Sequence, residues 1–398
     1  MGSARKAELL GATVVDWRAR HIDDPLTRLR YLRVATEGMM PSGRPGLLRW
    51  RFAALLVLAA AAAPYVVTQA VSASRGAPAP ARRPQPVQSA GPNPTAQSNG
   101  SLPSNGSFPN VWLVEQNAES EEYSNGLQID CRLAVSNRPR TYAAFDAAHP
   151  ERGPVEWRNQ PAGIVFHTTE SLQVPFEPLQ NGELRHITGG LIEYLRGKRA
   201  YHFLVDRFGR VHSIVRESDA ANHAGHSVWA DDRWLYIDLN DSFFGVSFEA
   251  QTRHGEASTS ITPAQVRAGQ LLVEMLRARY RLAPRNCVTH AQVSVNPANM
   301  RIGYHTDWAD NFPFREMGLP DNYSLPLPGL YLCGFVYDRT YLVSTGPRIL
   351  AAIGLSEDRL DQAAARQHRP AAEYREYLQR EYHRKIMTLK KETPEGDS

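Results

Sequence analysis

From residue 111 onward the sequence predicts an α/β or α+β domain built on a central β-sheet, with strands and helices mixed along the chain. Three observations carry that expectation. Short β-rich runs recur, at 163–167 and again at 245–250. Residues 201–205 and 211–215 flank Asp206-Arg207-Phe208-Gly209, a hairpin signal. Between strand candidates stands a strong helix start, Thr262-Pro263-Ala264-Gln265, with a Thr cap, Pro at the first helical position and Gln three residues after the cap.

Taken in order, residues 1–51 read as a basic cytoplasmic tail. Residues 52–74 carry no charge and as a helix would span roughly 35 Å, against about 30 Å of membrane hydrocarbon. Arg44, Arg49 and Arg51 precede them, so the positive-inside rule puts the rest of the chain outside the cytoplasm. With a start at Met39 or Met40 the same stretch reads as a signal peptide, with Val71-Ser72-Ala73 as its cleavage site. Both readings export the remainder, to a periplasmic or cell-surface location. Residues 75–110, rich in Pro, Ser, Gly, Asn and Gln, read as a flexible tether.

Residues 111–324 have globular composition. A short helix is expected at 189–196. Another follows Thr262, with Val266, Val273, Leu276 and Tyr280 at helical spacing, and Pro284 stops it. A strand or loop then carries Cys287 to His290. Residues 325–398 form a C-terminal extension: 325–342 add strands or an ordered wrap, and 356–391 have the texture of a charged, solvated surface helix. A net charge of +4 over 398 residues gives no basic stripe and argues against nucleic-acid binding. Three cysteines are too few for a disulfide framework, though one pair plus one free thiol is compatible with the count.

Three fragments carry chemistry: Ile164-Val165-Phe166-His167-Thr168-Thr169, Val288-Thr289-His290 and Tyr304-His305-Thr306-Asp307-Trp308. They offer His167, His290 and Asp307 as three ligands for Zn2+, leaving a fourth position open, as hydrolytic zinc requires. His305 in place of Asp307 gives a rival set of three histidines. Cys287-x-x-His290 has structural-zinc spacing but no second pair, so Cys287 reads as a small buried residue at a strand start.

The order of motifs resembles the zinc N-acetylmuramoyl-L-alanine amidase family, which includes phage amidases and peptidoglycan recognition proteins. The resemblance runs from Gly163 to Phe314 through I-V-F-H-T-T, Y-H-F-L-V-D-R-F-G-R-V, N-H-A-G-H-S, F-G-V-S-F-E, V-T-H-A-Q-V-S and H-T-D-W. It implies a mixed sheet flanked by helices, with zinc at one face. It also implies hydrolysis of the amide joining the lactyl group of N-acetylmuramic acid to L-alanine in peptidoglycan. Its metal ligands fall on His167, His290 and Asp307. A basic residue, commonly Lys, falls on His305, whose imidazole would stabilise an oxyanion but titrate near neutrality, so activity is expected to vary between about pH 5.5 and 7.5.

Tyr201 matches a tyrosine near the metal. Some relatives place a Glu base where Ser247 stands. Glu249, two residues on and on the same strand face, is then the candidate general base. His223 and His226 match a loop lining the substrate groove, Ser247 joins them there, and Trp308 either stacks on sugar or closes the core. The alternative to an enzyme is a non-catalytic muropeptide-binding module, and a weaker third reading is a zinc hydrolase acting on another amide.

Overall fold

The computed structural model describes residues 108–252, 261–338, 341–342 and 345–392. The expected tail, the uncharged segment 52–74 and the tether up to residue 107 lie outside the described residues. Among those described, no helix is long and apolar enough to cross a membrane. Three short strands come first, β1 (Leu113–Gln116), β2 (Ser120–Tyr123) and β3 (Gln128–Asp130), then β4 (Tyr142–Asp146), β5 (Glu156–Arg158) and β6 (Gly163–Thr168). Helix α1 (Asn181–Lys198) leads to β7 (Phe203–Val205), β8 (Val211–Ser213), β9 (Val228–Ala230) and β10 (Trp234–Ile237). The single turn α2 (Leu239–Ser242) precedes β11 (Phe243–Phe248), helix α3 (Pro263–Tyr280), β12 (Cys287–Thr289) and the short α4 (His290–Val293). A small ribbon, β13 (Val295–Asn296) and β14 (Arg301–Ile302), is followed by α5 (Pro328–Tyr331), α6 (Pro347–Arg366) and α7 (Ala371–Glu392).

The main sheet has eight strands in the order β1-β2-β3-β8-β7-β11-β6-β12. Its centre is parallel: β6 lies between β11 and β12 and runs with both. Parallel strands covered on both faces need nearly continuous apolar runs, and every residue of GIVFHT in β6 and FFGVSF in β11 is buried. The expected hairpin forms where β7 pairs antiparallel with β8 across the Asp206–Gly209 turn. A second, four-stranded antiparallel sheet, β5-β4-β10-β9, has no counterpart in the sequence-based expectation.

Helix α1 runs well beyond the expected 189–196 and buries Leu184, Thr188, Ile192 and Leu195, one stripe at helical spacing. Helix α3 begins as expected, with Thr262 and Gln265 forming a reciprocal capping box. It ends at Tyr280, with Arg281 left-handed as its cap, so the stop comes before Pro284. Cys287 is fully buried at the start of β12, and all three cysteines are free thiols.

The boundary expected after residue 324 does not divide the core. Leu330, Phe335, Ile353 and Tyr382 belong to the same buried cluster as Phe166, Val246 and Leu272. The charged stretch expected as a solvated surface helix thus contributes apolar residues inward, and its polar character marks only one side of α6 and α7. Tyr341 from this region donates to the carbonyl of Ala291 at 3.2 Å. It also packs over Gly303, whose φ of 77° and lack of a side chain leave room for the ring.

Candidate metal centre

Two parallel strands deliver the histidines. His167 is the fifth residue of β6, and His290 follows directly on β12, so both stand at the carboxyl ends of neighbouring strands, where open α/β sheets place their ligands. Thr289 and Gln292 form a capping box around the β12–α4 junction, which fixes His290 as the first residue of a turn. Asp307 arrives on a separate loop. Its carbonyl accepts from Ala291 N at 3.2 Å, and the next carbonyl, of Trp308, accepts from the buried Tyr323 hydroxyl at 2.7 Å.

These three side chains converge, with ligand atoms all within 4.8 Å of one another. His167 Nδ1 lies 3.1 Å from Asp307 Oδ2, and His290 Nδ1 lies 2.8 Å from Asp307 Oδ1. The outer sides of the rings define which nitrogen carries hydrogen. His290 Nε2 faces the carbonyl of Ala224 at 3.3 Å. A carbonyl only accepts, so Nε2 bears the hydrogen, and in a neutral ring Nδ1 is then the lone pair on the carboxylate side. His167 Nε2 faces His223 Nδ1 at 3.1 Å.

Imidazole nitrogens converging on a carboxylate need shared protons or a cation between them. The donor set of two imidazoles and one carboxylate therefore fits a zinc ion on its own chemistry. Electrostatics agree. Burial, then the charge of neighbouring His290, lowers His167 to about 4, so its ring is neutral at physiological pH and free to ligate. Burial opposes ionisation of Asp307, but the facing His290 and His167 outweigh it and hold the carboxyl well below its usual range.

The other expected residues divide. The Tyr201 ring lies 4.9 Å from the His167 ring, held there by a left-handed backbone with φ of 62°. Such a conformation costs an aromatic residue about 1–3 kcal/mol. His305 stacks on His290, with ring centroids 4.6 Å apart and planes at 20°, and stands outside the ligand trio. Exposed Tyr304 sits edge-on against His305 at 4.7 Å. His226 is exposed and pairs with Asp238 at 3.8 Å.

Of the two readings of Trp308 the structure shows the core one, and the expectations for Ser247 and Glu249 are corrected. Trp308 offers no face to a sugar: it is 3% exposed and packed edge-on among Phe248 and Phe312. Ser247, in register with His167 on the adjoining strand, is fully buried with its hydroxyl unpaired, so it lies beneath the centre and not in a groove. Glu249 is not brought to the trio. Its Oε2 accepts from Thr188 Oγ1 at 2.8 Å and from Arg207 N at 3.3 Å, and its Oε1 is buried without a partner. Strand periodicity put Glu249 and Ser247 on one face, but α1 covers that face with Thr188.

His223, expected in a substrate groove, instead has both ring nitrogens engaged, since Nε2 faces the carbonyl of Phe243 at 3.2 Å. Burial, then the charges of His167, His202 and His290, hold its pKa well below the usual imidazole value. Sequence reasoning missed Asn240, whose Oδ1 accepts from both His223 N at 2.8 Å and Ala224 N at 2.7 Å. An asparagine in a one-turn helix, 17 residues from the loop it braces, gives no local signal.

Two histidines and an aspartate thus converge at the parallel strand ends of an α/β domain, as a group that could hold a metal ion. The N-acetylmuramoyl-L-alanine amidase family profile matches residues 157–307. Among solved structures the chain is similar to AmpDh3 of Pseudomonas aeruginosa in complex with an anhydromuramic pentapeptide, at 22% identity over 42% of this chain and 62% of that one, with a TM-score of 0.30. It is similar to AmiD of E. coli in complex with anhydro-N-acetylmuramic acid-L-Ala-D-gamma-Glu-L-Lys, at 23% identity over 46% of this chain and 67% of that one, with a TM-score of 0.31. Drosophila peptidoglycan recognition protein SD is similar at 17% identity over 42% of this chain and 85% of that one, with a TM-score of 0.27. The match spans 62% of the length of AmpDh3. No curated protein matches it.

Proposed function

We propose that this chain is a zinc-dependent N-acetylmuramoyl-L-alanine amidase, which hydrolyses the amide between the lactyl group of N-acetylmuramic acid and the first L-alanine of a peptidoglycan stem. One observation carries the reading: within the matched segment, His167 Nδ1 and His290 Nδ1 converge on the two oxygens of Asp307. His167, His290 and Asp307 would hold the zinc. When bound, zinc supplies a Lewis acid for the scissile carbonyl and makes water a nucleophile near neutral pH.

The remaining chemistry belongs to side chains around the trio. Tyr201, whose ring lies against that of His167, would orient substrate or water with its phenol. His305, stacked on His290, is the proposed hydrogen-bond donor to the oxyanion of the tetrahedral intermediate. Exposed His226 remains the proposed muropeptide contact from the 222–227 loop. The uncharged segment 52–74 and its arginine flank support delivery of the domain across a membrane, by an anchor or a cleaved signal, to where peptidoglycan lies.

The test is digestion of purified muropeptides followed by mass spectrometry. The expected products are a stem peptide with a free L-alanine amine and a lactyl carboxylate on the sugar. A chelator should abolish the reaction and added Zn2+ restore it. Chelator-insensitive cleavage or products cut at another bond would sink the reading, and tight binding with no cleavage would replace the enzyme by a recognition module.

A further inference from the structure

Both ring nitrogens of His223 are committed within the protein. Its Nε2 lies 3.2 Å from the carbonyl of Phe243 and its Nδ1 lies 3.1 Å from His167 Nε2. The carbonyl can only accept, so His223 carries its hydrogen on Nε2 and presents a bare Nδ1 to His167. That nitrogen accepts a hydrogen bond only if His167 is protonated on Nε2. The lone pair of His167 must then sit on Nδ1, the nitrogen that faces Asp307. One backbone carbonyl thus sets the tautomers of two rings in series.

The surroundings are built to hold this ring. Phe243 opens β11, and its carbonyl also receives Nη1 of the buried Arg140 at 3.4 Å, so the terminal acceptor is fixed by the sheet. Gly245, on the same strand, leaves the space the imidazole fills: a Cβ there would lie 2.5 Å from His223 Cγ. The Gly245 amide donates to His202 Nδ1 at 3.0 Å, which pins the strand at this point. Asn240 holds the His223 backbone from the other side.

We propose that His223 is a positioning residue, which accepts the Nε2 hydrogen of His167 and so fixes the tautomer and orientation of one metal-ligating ring. Its consequence for zinc rests on the amidase reading, whereas its geometry does not. Partners one step removed from a metal are worth about 10–100-fold in affinity.

Two measurements test this. Nitrogen-15 correlation spectra of histidine-labelled protein report which ring nitrogen carries hydrogen, and Nε2–H is expected for His223 and for zinc-loaded His167. A His223 protonated on Nδ1 overturns the proposal whatever the metal does. Zinc affinity, by competition with a chromogenic chelator, should fall about 10–100-fold in His223→Leu. In His223→Asn, whose carboxamide oxygen takes the Nδ1 position, it should stay within about threefold of wild type. Equal losses in both variants, or none in His223→Leu, overturn it. If His223→Leu fails to fold, the Asn variant and the spectra decide. A wild-type protein that binds no zinc but shows Nε2–H on His223 and His167 refutes the zinc reading and upholds the positioning role.

Discussion

His290 and His167 reach the same carboxylate by different routes. His290 is backed by a backbone carbonyl, that of Ala224 at 3.3 Å. His167 is backed by another side chain, His223, and only through it by the backbone at Phe243. The first arm therefore ends directly on the main chain. The second adds a ring that must have the right identity, tautomer and space. Substitution can damage the His167 arm at positions where the His290 arm offers no side chain to change.

The largest effect is expected where the arms meet. Asp307→Ala removes the partner both rings share. Losing one of three ligands forfeits roughly a third of a binding free energy of about 10 kcal/mol, a zinc affinity loss on the order of 10²- to 10³-fold. Amidase activity should fall below detection at ordinary zinc concentrations. His305→Ala should keep its zinc, because that ring stacks on His290 outside the trio. Metal analysis showing zinc lost from the His305 variant and kept in the Asp307 variant would reverse the ligand assignment.

Asn240→Ala comes next and strikes both arms behind the rings. One oxygen holds the amides of His223 and Ala224, so its loss frees the backbone that supplies an acceptor to each histidine. Two partly buried amides left unpaired cost about 1–3 kcal/mol in all. Urea unfolding should register that cost, and zinc should bind roughly 10-fold more weakly. An unchanged zinc affinity in a destabilised variant would mean that the loop braces the fold and not the centre.

Gly245→Ala separates the arms. The new methyl would press on the His223 ring, whose atoms are the nearest to it. Zinc affinity should drop by about 10-fold through the His167 arm alone. Nitrogen-15 spectra should show a disturbed His167 and an undisturbed His290; disturbance of both rings would erase the distinction.

The two arms were unequally legible in the sequence. His167, His290 and Asp307 could be picked out as candidates because each stands beside an apolar run or within a recognisable loop. The hairpin and the Thr262 helix start were legible for the same reason: local residue chemistry determines them. What backs the ligands was not. His223 looked like a groove residue because a sequence names a side chain without saying where its nitrogens are spent. The Ala224 contact to His290 spans 66 residues and uses a carbonyl that every residue possesses. The place of Ser247, and the choice between sugar and core for Trp308, were illegible in the same way, since only packing decides whether a side chain on a known strand or loop faces substrate or core. The C-terminal helices hid their inward stripe behind abundant surface charge.

Glu249 belongs to neither arm, and its substitution should have the smallest effect on catalysis. Burial first, and then the charge of Asp206, raise its pKa, although bonds from Thr188 and Arg207 pull the other way. The folded state thus favours the protonated acid. Below the pKa of the unfolded chain both states are protonated and nothing is lost. As pH rises towards the higher folded value, the unfolded chain releases its proton first and stability falls, and above that value the full penalty persists. A Glu249→Gln amide retains an oxygen for Thr188 and Arg207 and never ionises. The variant should match wild type in acid and unfold at a higher temperature at neutral pH, with kcat within about threefold of wild type. A kcat loss of about 100-fold or more with KM unchanged would show that Glu249 moves a proton in the reaction after all, and that α1 must shift to let it do so.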